Sequence, residues 1–319
     1  MNRSENSTRF RLAARRLTSV HSRLLCLTTA LCLAMCAPLL AHDEPHKEIE
    51  RLSREIEWST MDAELYLARG GLHRMEGHWE EALADFDRAA QLDPLNSTID
   101  FHRGRLYLEA GAPQAARENL DRFLAVHPTH VQGLMTRART LRQLGQPLLA
   151  ASDYTQALTQ TADPGPVLFL ERADALAAAG DEYLDAAIDG LDEGIALLGP
   201  VVLLQSKAVD LEVRARRYGS ALGRIDQILS TMPRKERWLT RRGEVLERVG
   251  LIDEARASYA EALAAIERLP RRLRETPATQ ELAAELINRL EADPAERQES
   301  DQQPSPLNKA PHGAGRVGK

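Results

Sequence analysis

The sequence predicts an all-α fold made of stacked helix–turn–helix repeats. The first observation behind that prediction is a shared spacing. Gly70, Gly77, Ala82 and Pro94 are each answered 34 positions later, by Gly104, Gly111, Ala116 and Pro128. A period of about 34 is that of a two-helix repeat unit. The second observation is the chemistry of those positions. Small residues at Gly70, Ala82 and Ala89 let two helix backbones approach closely. Gly77 stands where the first helix must stop, and glycine takes a left-handed conformation there at little steric cost. Pro94 follows the second helix, where the chain turns into the next unit. The third is composition. Apolar residues make up 43% of the 319 and aromatics only 4%, as suits an alanine- and leucine-rich helical stack. Tyr66, Trp79 and Phe86, then Tyr107 and Leu120, supply the bulk between helices.

The pattern resembles the tetratricopeptide repeat, of the exported bacterial kind. The first small position recurs as Gly70, Gly104, Ala138, Ala173, Ala208 and Gly243. The turn position recurs as Gly77, Gly111, Gly145, Gly180, Ala215 and Gly250. The second-helix alanine recurs as Ala82, Ala116, Ala150, Ala187, Ala221 and Ala255, and the closing proline as Pro94, Pro128, Pro164, Pro200, Pro233 and Pro270. Six repeats are readable, at 63–96, 97–130, 131–164, 165–200, 201–234 and 235–270. The fourth and fifth are degenerate: the fourth has extra residues before Ala187, and Gly194 stands where alanine is usual. The resemblance implies a right-handed α-solenoid, since one hairpin cannot bury its apolar face without neighbours.

Taken in order, the chain opens on Arg3, Arg9, Arg11, Arg15, Arg16 and Arg23. Leu24 to Leu40 is then almost wholly apolar, and Ala41 is followed by His42-Asp43-Glu44. This reads as a signal peptide over 1–41, cut after Ala41, with periplasmic or secreted location. The rivals are an uncleaved membrane anchor and a lipoprotein, the latter resting on Leu33-Ala34-Met35-Cys36. All three cysteines lie in that segment, so the chain from His42 on has no thiol for catalysis, disulfides or zinc. Residues 42–62 carry Ile49, Leu52 and Ile56 at helical spacing and read as an amino-terminal capping helix. After the repeats, Pro270-Arg271-Arg272-Leu273-Arg274 is a basic turn. Thr276 suits an N-cap, Pro277 the first helical position, and Leu282, Leu286 and Leu290 one stripe. The segment 271–291 is therefore a carboxy-terminal cap, and 292–319 is expected to be a disordered tail.

Charge and motifs narrow the function. From residue 42 on, 35 basic residues face 46 acidic ones, a net of −11, which disfavours nonspecific nucleic-acid binding and adhesion to anionic lipid. Contact with a membrane is expected only through the signal or an uncleaved anchor. No phosphate loop, HExxH, GxSxG or paired-cysteine spacing occurs, so the expectation is no enzyme, no cofactor and no metal. His127 and His130 flank Pro128 and read as solvated turn residues, and His73 as a core histidine. Trp79 and Trp238 fall at helix starts and are expected to pack between helices.

The resemblance also implies a concave groove lined by the first helix of each repeat. It places Glu64, Leu67, Gly71, Arg74 and Met75 there from the first unit. The second unit supplies Thr98, Phe101, Arg105, Leu108 and Glu109, and the third Gln132, Met135, Arg139, Arg142 and Gln143. Arginines (Arg74, Arg105, Arg139, Arg142) beside apolar groups (Leu67, Phe101, Leu108, Met135) suit a protein or extended peptide bearing carboxylates. The competing reading is that these arginines balance local acids such as Glu109. The lysine–asparagine–arginine carboxylate clamp of chaperone adaptors is not present: Leu67, Gly71, His102, Gln132 and Thr136 stand at the comparable places. Repeats four and five offer only Leu170, Asp174, Ala177, Gln205 and Val209, either idle or part of a joint between two halves. The expected function is a non-enzymatic interaction scaffold of the cell envelope. The alternative is an accessory or metal-binding protein acting through His42 and His46, with the repeats as a docking body.

Overall fold

A computed structural model describes residues 43–291, and those residues form fifteen α-helices and one short 3-10 turn, with no strand among them. The readings made for 1–41, His42 and 292–319 lie outside the described residues. The chain falls into two compact units that divide between Leu144 and Gly145.

The first unit runs α1 (Asp43–Trp58), α2 (Ala63–Met75), α3 (Trp79–Leu92), α4 (Thr98–Glu109), α5 (Pro113–Val126) and α6 (Val131–Gln143). Helices α2 and α3 form one hairpin, α4 and α5 a second, and α6 packs on α5 and α4. Helix α1 lies on α2 and buries Leu52 and Ile56. Arg69 of α2 donates to Ser53 Oγ of α1 at 3.0 Å, which adds a polar tie to that apolar contact.

The small first-helix position has a direct steric cause. A Cβ built on Gly70 would come within 2.7 Å of the Phe86 ring, and one on Gly104 within 2.6 Å of Leu120. The bulky partner sits sixteen residues on in each case, on the other helix of the hairpin. Phe86 and Leu120 are fully buried as a result. The turns need a left-handed residue, and Gly77 and Gly111 supply it at φ +78° and +75°.

The second unit runs α7 (Pro147–Gln160), α8 (Pro166–Ala179), the 3-10 turn Asp181–Tyr183, α9 (Leu184–Leu198), α10 (Val202–Arg214) and α11 (Tyr218–Thr231). It ends with α12 (Glu236–Arg248), α13 (Ile252–Glu267), α14 (Arg271–Arg274) and α15 (Pro277–Glu291). The extra residues of the fourth repeat are taken up by the 3-10 turn before α9. Two expectations are corrected here. The left-handed turn residue of the fifth repeat is Arg216 (φ +58°), while Ala215 keeps φ −75°. Repeats four and five pack on each other. Phe169, Ala173, Leu184, Leu191, Leu204 and Ala208 share one core that runs through both. Ala177, Gln205 and Val209, named above as groove positions, are buried and offer almost no surface. At the far end, α15 covers α13, and Leu286 joins the core of Leu246, Tyr259 and Ile266.

Candidate functional site

Of the three first helices of the first unit, α4 contacts both α2 and α6, and every arginine among the groove candidates belongs to one of these three. Their side chains meet different fates. Leu67 is only 8% exposed and packs with Ala82, Phe86 and Leu106, so it is a core residue and not a groove surface. Arg74 is also buried. Its Nη1 lies 2.5 Å from each carboxylate oxygen of Glu109, joining α2 to α4. It is thus a strut between repeats, with its charge already met by an acid 35 residues on. This corrects the expectation that it faces a ligand.

Arg105 differs. It is half-buried, and its guanidinium lies over the Phe101 ring at 5.7 Å from the centroid. It makes no hydrogen bond or ion pair to any described residue. Burial lowers its pKa from the ordinary arginine value. Arg74 and Arg139 push the same way, and Glu109 opposes them. A guanidinium stacked on an aromatic face keeps its donor edge open for a planar anion. Leu108, Met135 and Arg139 are half-buried on the same helices, and Arg142 is exposed in the last turn of α6.

Phe101 is held from below by an aromatic group that periodicity alone does not reveal. It lies 5.1 Å from Phe123, 5.2 Å from His130 and 5.7 Å from His102, ring centre to ring centre. The loop histidines are anchored, not merely solvated. His130 Nδ1 accepts the Gly133 N–H at 3.0 Å and caps α6. His127 Nε2 is 2.8 Å from Ser97 Oγ. His102 packs on Phe86 as well, its Nδ1 is buried without a partner among the described residues, and burial pushes its pKa down to about 4. His73 is half-buried, and burial lowers its pKa too. Trp238 packs with Val209 and Ile225, whereas Trp79 keeps more than a third of its surface exposed.

The sequence reading passed over a second set of residues. A basic side chain precedes every small first-helix position: Arg69, Arg103, Arg137, Arg172, Lys207 and Arg242. All six are ion-paired. Arg69 meets Asp85 at 2.6 Å, Arg137 meets Asp121 at 3.0 Å, Arg172 meets Glu193 at 2.6 Å and Arg242 meets Asp226 at 2.9 Å. Arg103 pairs with Asp87 and Lys207 with Asp174. Three of the pairs (Arg103, Arg137, Arg242) reach back to the second helix of the preceding repeat. The signal was present as a recurrence at the repeat period.

For metal chemistry, the described residues hold no group of three His, Cys, Asp or Glu placed to bind an ion. His46 is exposed and lies 3.5 Å from Glu50. No described helix is long and apolar enough to cross a membrane.

Comparison with known proteins adds the following. Two family models described as tetratricopeptide repeat match residues 73–138 and 207–270. Human tetratricopeptide repeat protein 7B is 32% identical over 93 residues, 29% of this chain and 11% of that protein. Cellulose synthase operon protein C of Xanthomonas axonopodis pv. citri (strain 306) is 26% identical over 203 residues, 60% of this chain and 13% of that protein. The chain therefore spans little more than a tenth of the length of these curated relatives. Among solved structures, a tetratricopeptide repeat protein from Parabacteroides merdae ATCC 43184 superposes with a TM-score of 0.48 at 18% identity, covering 78% of this chain and 94% of that one.

Proposed function

We propose, on the premise that this chain is a tetratricopeptide-repeat protein, that it holds an acidic protein segment against the face of α2, α4 and α6. Tetratricopeptide repeats are in general non-catalytic protein–protein interaction modules. The observation that carries the reading to this face is Arg105, stacked on Phe101 and lacking a carboxylate partner among the described residues. A glutamate or aspartate of the bound segment would pair with it in two-point fashion, while Leu108 and Met135 receive apolar neighbours. Arg139 and Arg142 add cationic side chains along α6, and Arg74 holds Glu109 in an ion pair.

The test is a titration of the protein with a fluorescent, glutamate-rich peptide at two salt concentrations. Replacing both Arg105 and Arg139 with glutamate is expected to weaken binding at least about tenfold, since like charges then face the ligand. The helical circular dichroism spectrum should not change. Binding that ignores the double substitution would remove this face from consideration.

On the same reading the scaffold works in the cell envelope after export. Support comes from the arginine-rich stretch, the apolar run Leu24 to Leu40 and the confinement of cysteine to that segment. Amino-terminal sequencing of the mature protein is expected to start at His42. A mature chain that retains Met1 and stays in the cytosol would sink the export reading and leave the groove reading intact.

A further inference from the structure

A cavity of about 390 Å³ opens in the second unit, bounded by the α11–α12 loop, the first turn of α12, α14 and the start of α15. That volume lies within the range of small-ligand sites. Met232, Trp238, Leu273 and Ala278 give it an apolar wall. Its charged groups are Arg234, Arg237 and Glu236. Glu236 is only 3% exposed and accepts two hydrogen bonds from the Arg234 guanidinium, one of them from Nε at 2.7 Å. That pair is internally balanced, so Glu236 is not available to a cationic ligand. Arg237 is exposed and has no ion pair or hydrogen bond to any described residue. The cavity thus combines an apolar wall with one unbalanced positive charge.

We infer that this cavity binds a small monocarboxylate with an apolar body. The carboxylate pairs with Arg237, and the body lies against Trp238, Met232 and Leu273. The single excess charge selects a monoanion, and the volume limits the body to about the size of one aromatic or branched side chain with its flanking backbone. The same chemistry is offered by a free apolar acid and by the carboxy-terminus of a peptide that ends in an apolar residue. This site shares no residue with the α2, α4 and α6 face.

The experiment is calorimetric titration of the full chain with four probes: N-acetylphenylalanine, its amide, the tripeptide Ala-Ala-Phe and decanoate. N-acetylphenylalanine is expected to bind saturably, with its amide weaker by roughly tenfold or more. Arg237→Gln should weaken the acid by a similar factor. Ala278→Trp, at an exposed helical position, should fill the cavity and abolish binding, with an unchanged melting curve as the check on folding. Tighter binding of Ala-Ala-Phe identifies a peptide terminus as the source, and tighter binding of decanoate a free acid. Equal binding of acid and amide, retained binding in Ala278→Trp, or no saturable heat with any of the three acids would overturn the inference.

Discussion

His102 shows how one buried side chain couples this fold to pH. It sits between Phe86 and Phe101 with an unpartnered Nδ1, near the positive charges of Arg105 and Arg74. Burial and those charges disfavour the imidazolium, so its folded pKa of about 4 lies below the usual 6.5. The unfolded chain therefore binds the extra proton more readily between these values. Stability contributed by the neutral ring is complete above pH 6.5 and is lost as pH falls toward 4. For a group that keeps some exposure the loss is on the order of 2 kcal/mol. Urea unfolding of the wild type and His102→Leu from pH 7 to 4 measures it. The stability difference should shift in favour of the leucine variant by about that amount across the window, because shared carboxylate titration cancels. A difference that stays constant with pH would show that the ring is solvated. The same scale separates Arg74 from Arg105. Both occupy first-helix positions of one class, yet Glu109 occupies one guanidinium and leaves the other stacked on a ring.

At the scale of the element, the helical hairpins were legible because close packing imposes a strict choice at few positions. Phe86 leaves no room for a Cβ on Gly70, nor Leu120 on Gly104, and the choice repeats wherever the hairpin repeats. Gly243 obeys the same rule against Tyr259, 173 residues after Gly70. The turn was legible where glycine holds it and misread where Arg216 does, since an exposed arginine at φ +58° leaves no compositional mark. The candidate site was legible as a helix face but not side chain by side chain. Spacing places Leu67 and Arg74 on that face. It does not say that Leu67 is closed off by Phe86 and Leu106, or that Arg74 finds Glu109 on the next first helix. Those outcomes depend on partners 19 to 39 residues away, beyond the reach of helical periodicity. The ring contacts of the loop histidines were not legible for a related reason. Their aromatic partner Phe123 stands in copy two where copy one has Ala89, so a repeat-averaged reading treats it as an exception and not as a platform.

At the scale of the molecule, each repeat gains its stability from its neighbours, so the last one depends on what covers it. Helix α15 supplies that cover. Leu286 is fully buried against the core of Leu246, Tyr259 and Ile266. Arg289 donates to the Tyr259 hydroxyl at 3.1 Å and to Glu247 at 3.2 Å, tying α15 to both helices of the sixth repeat. A chain ending at Leu269 would leave that core open to water. Burial of a leucine side chain is worth about 1.5–3 kcal/mol, and several lose cover together. Loss of the cap should therefore melt α12 and α13 first, because nearest-neighbour coupling carries the damage inward with decreasing force. Hydrogen exchange of the truncated and full chains measures this. Protection is expected to fall most across 236–267 and progressively less through α11, α10 and α8. A uniform loss along 145–267 would mean that the second unit unfolds as a single cooperative block, and unchanged protection would mean that α15 is ornamental to the stack.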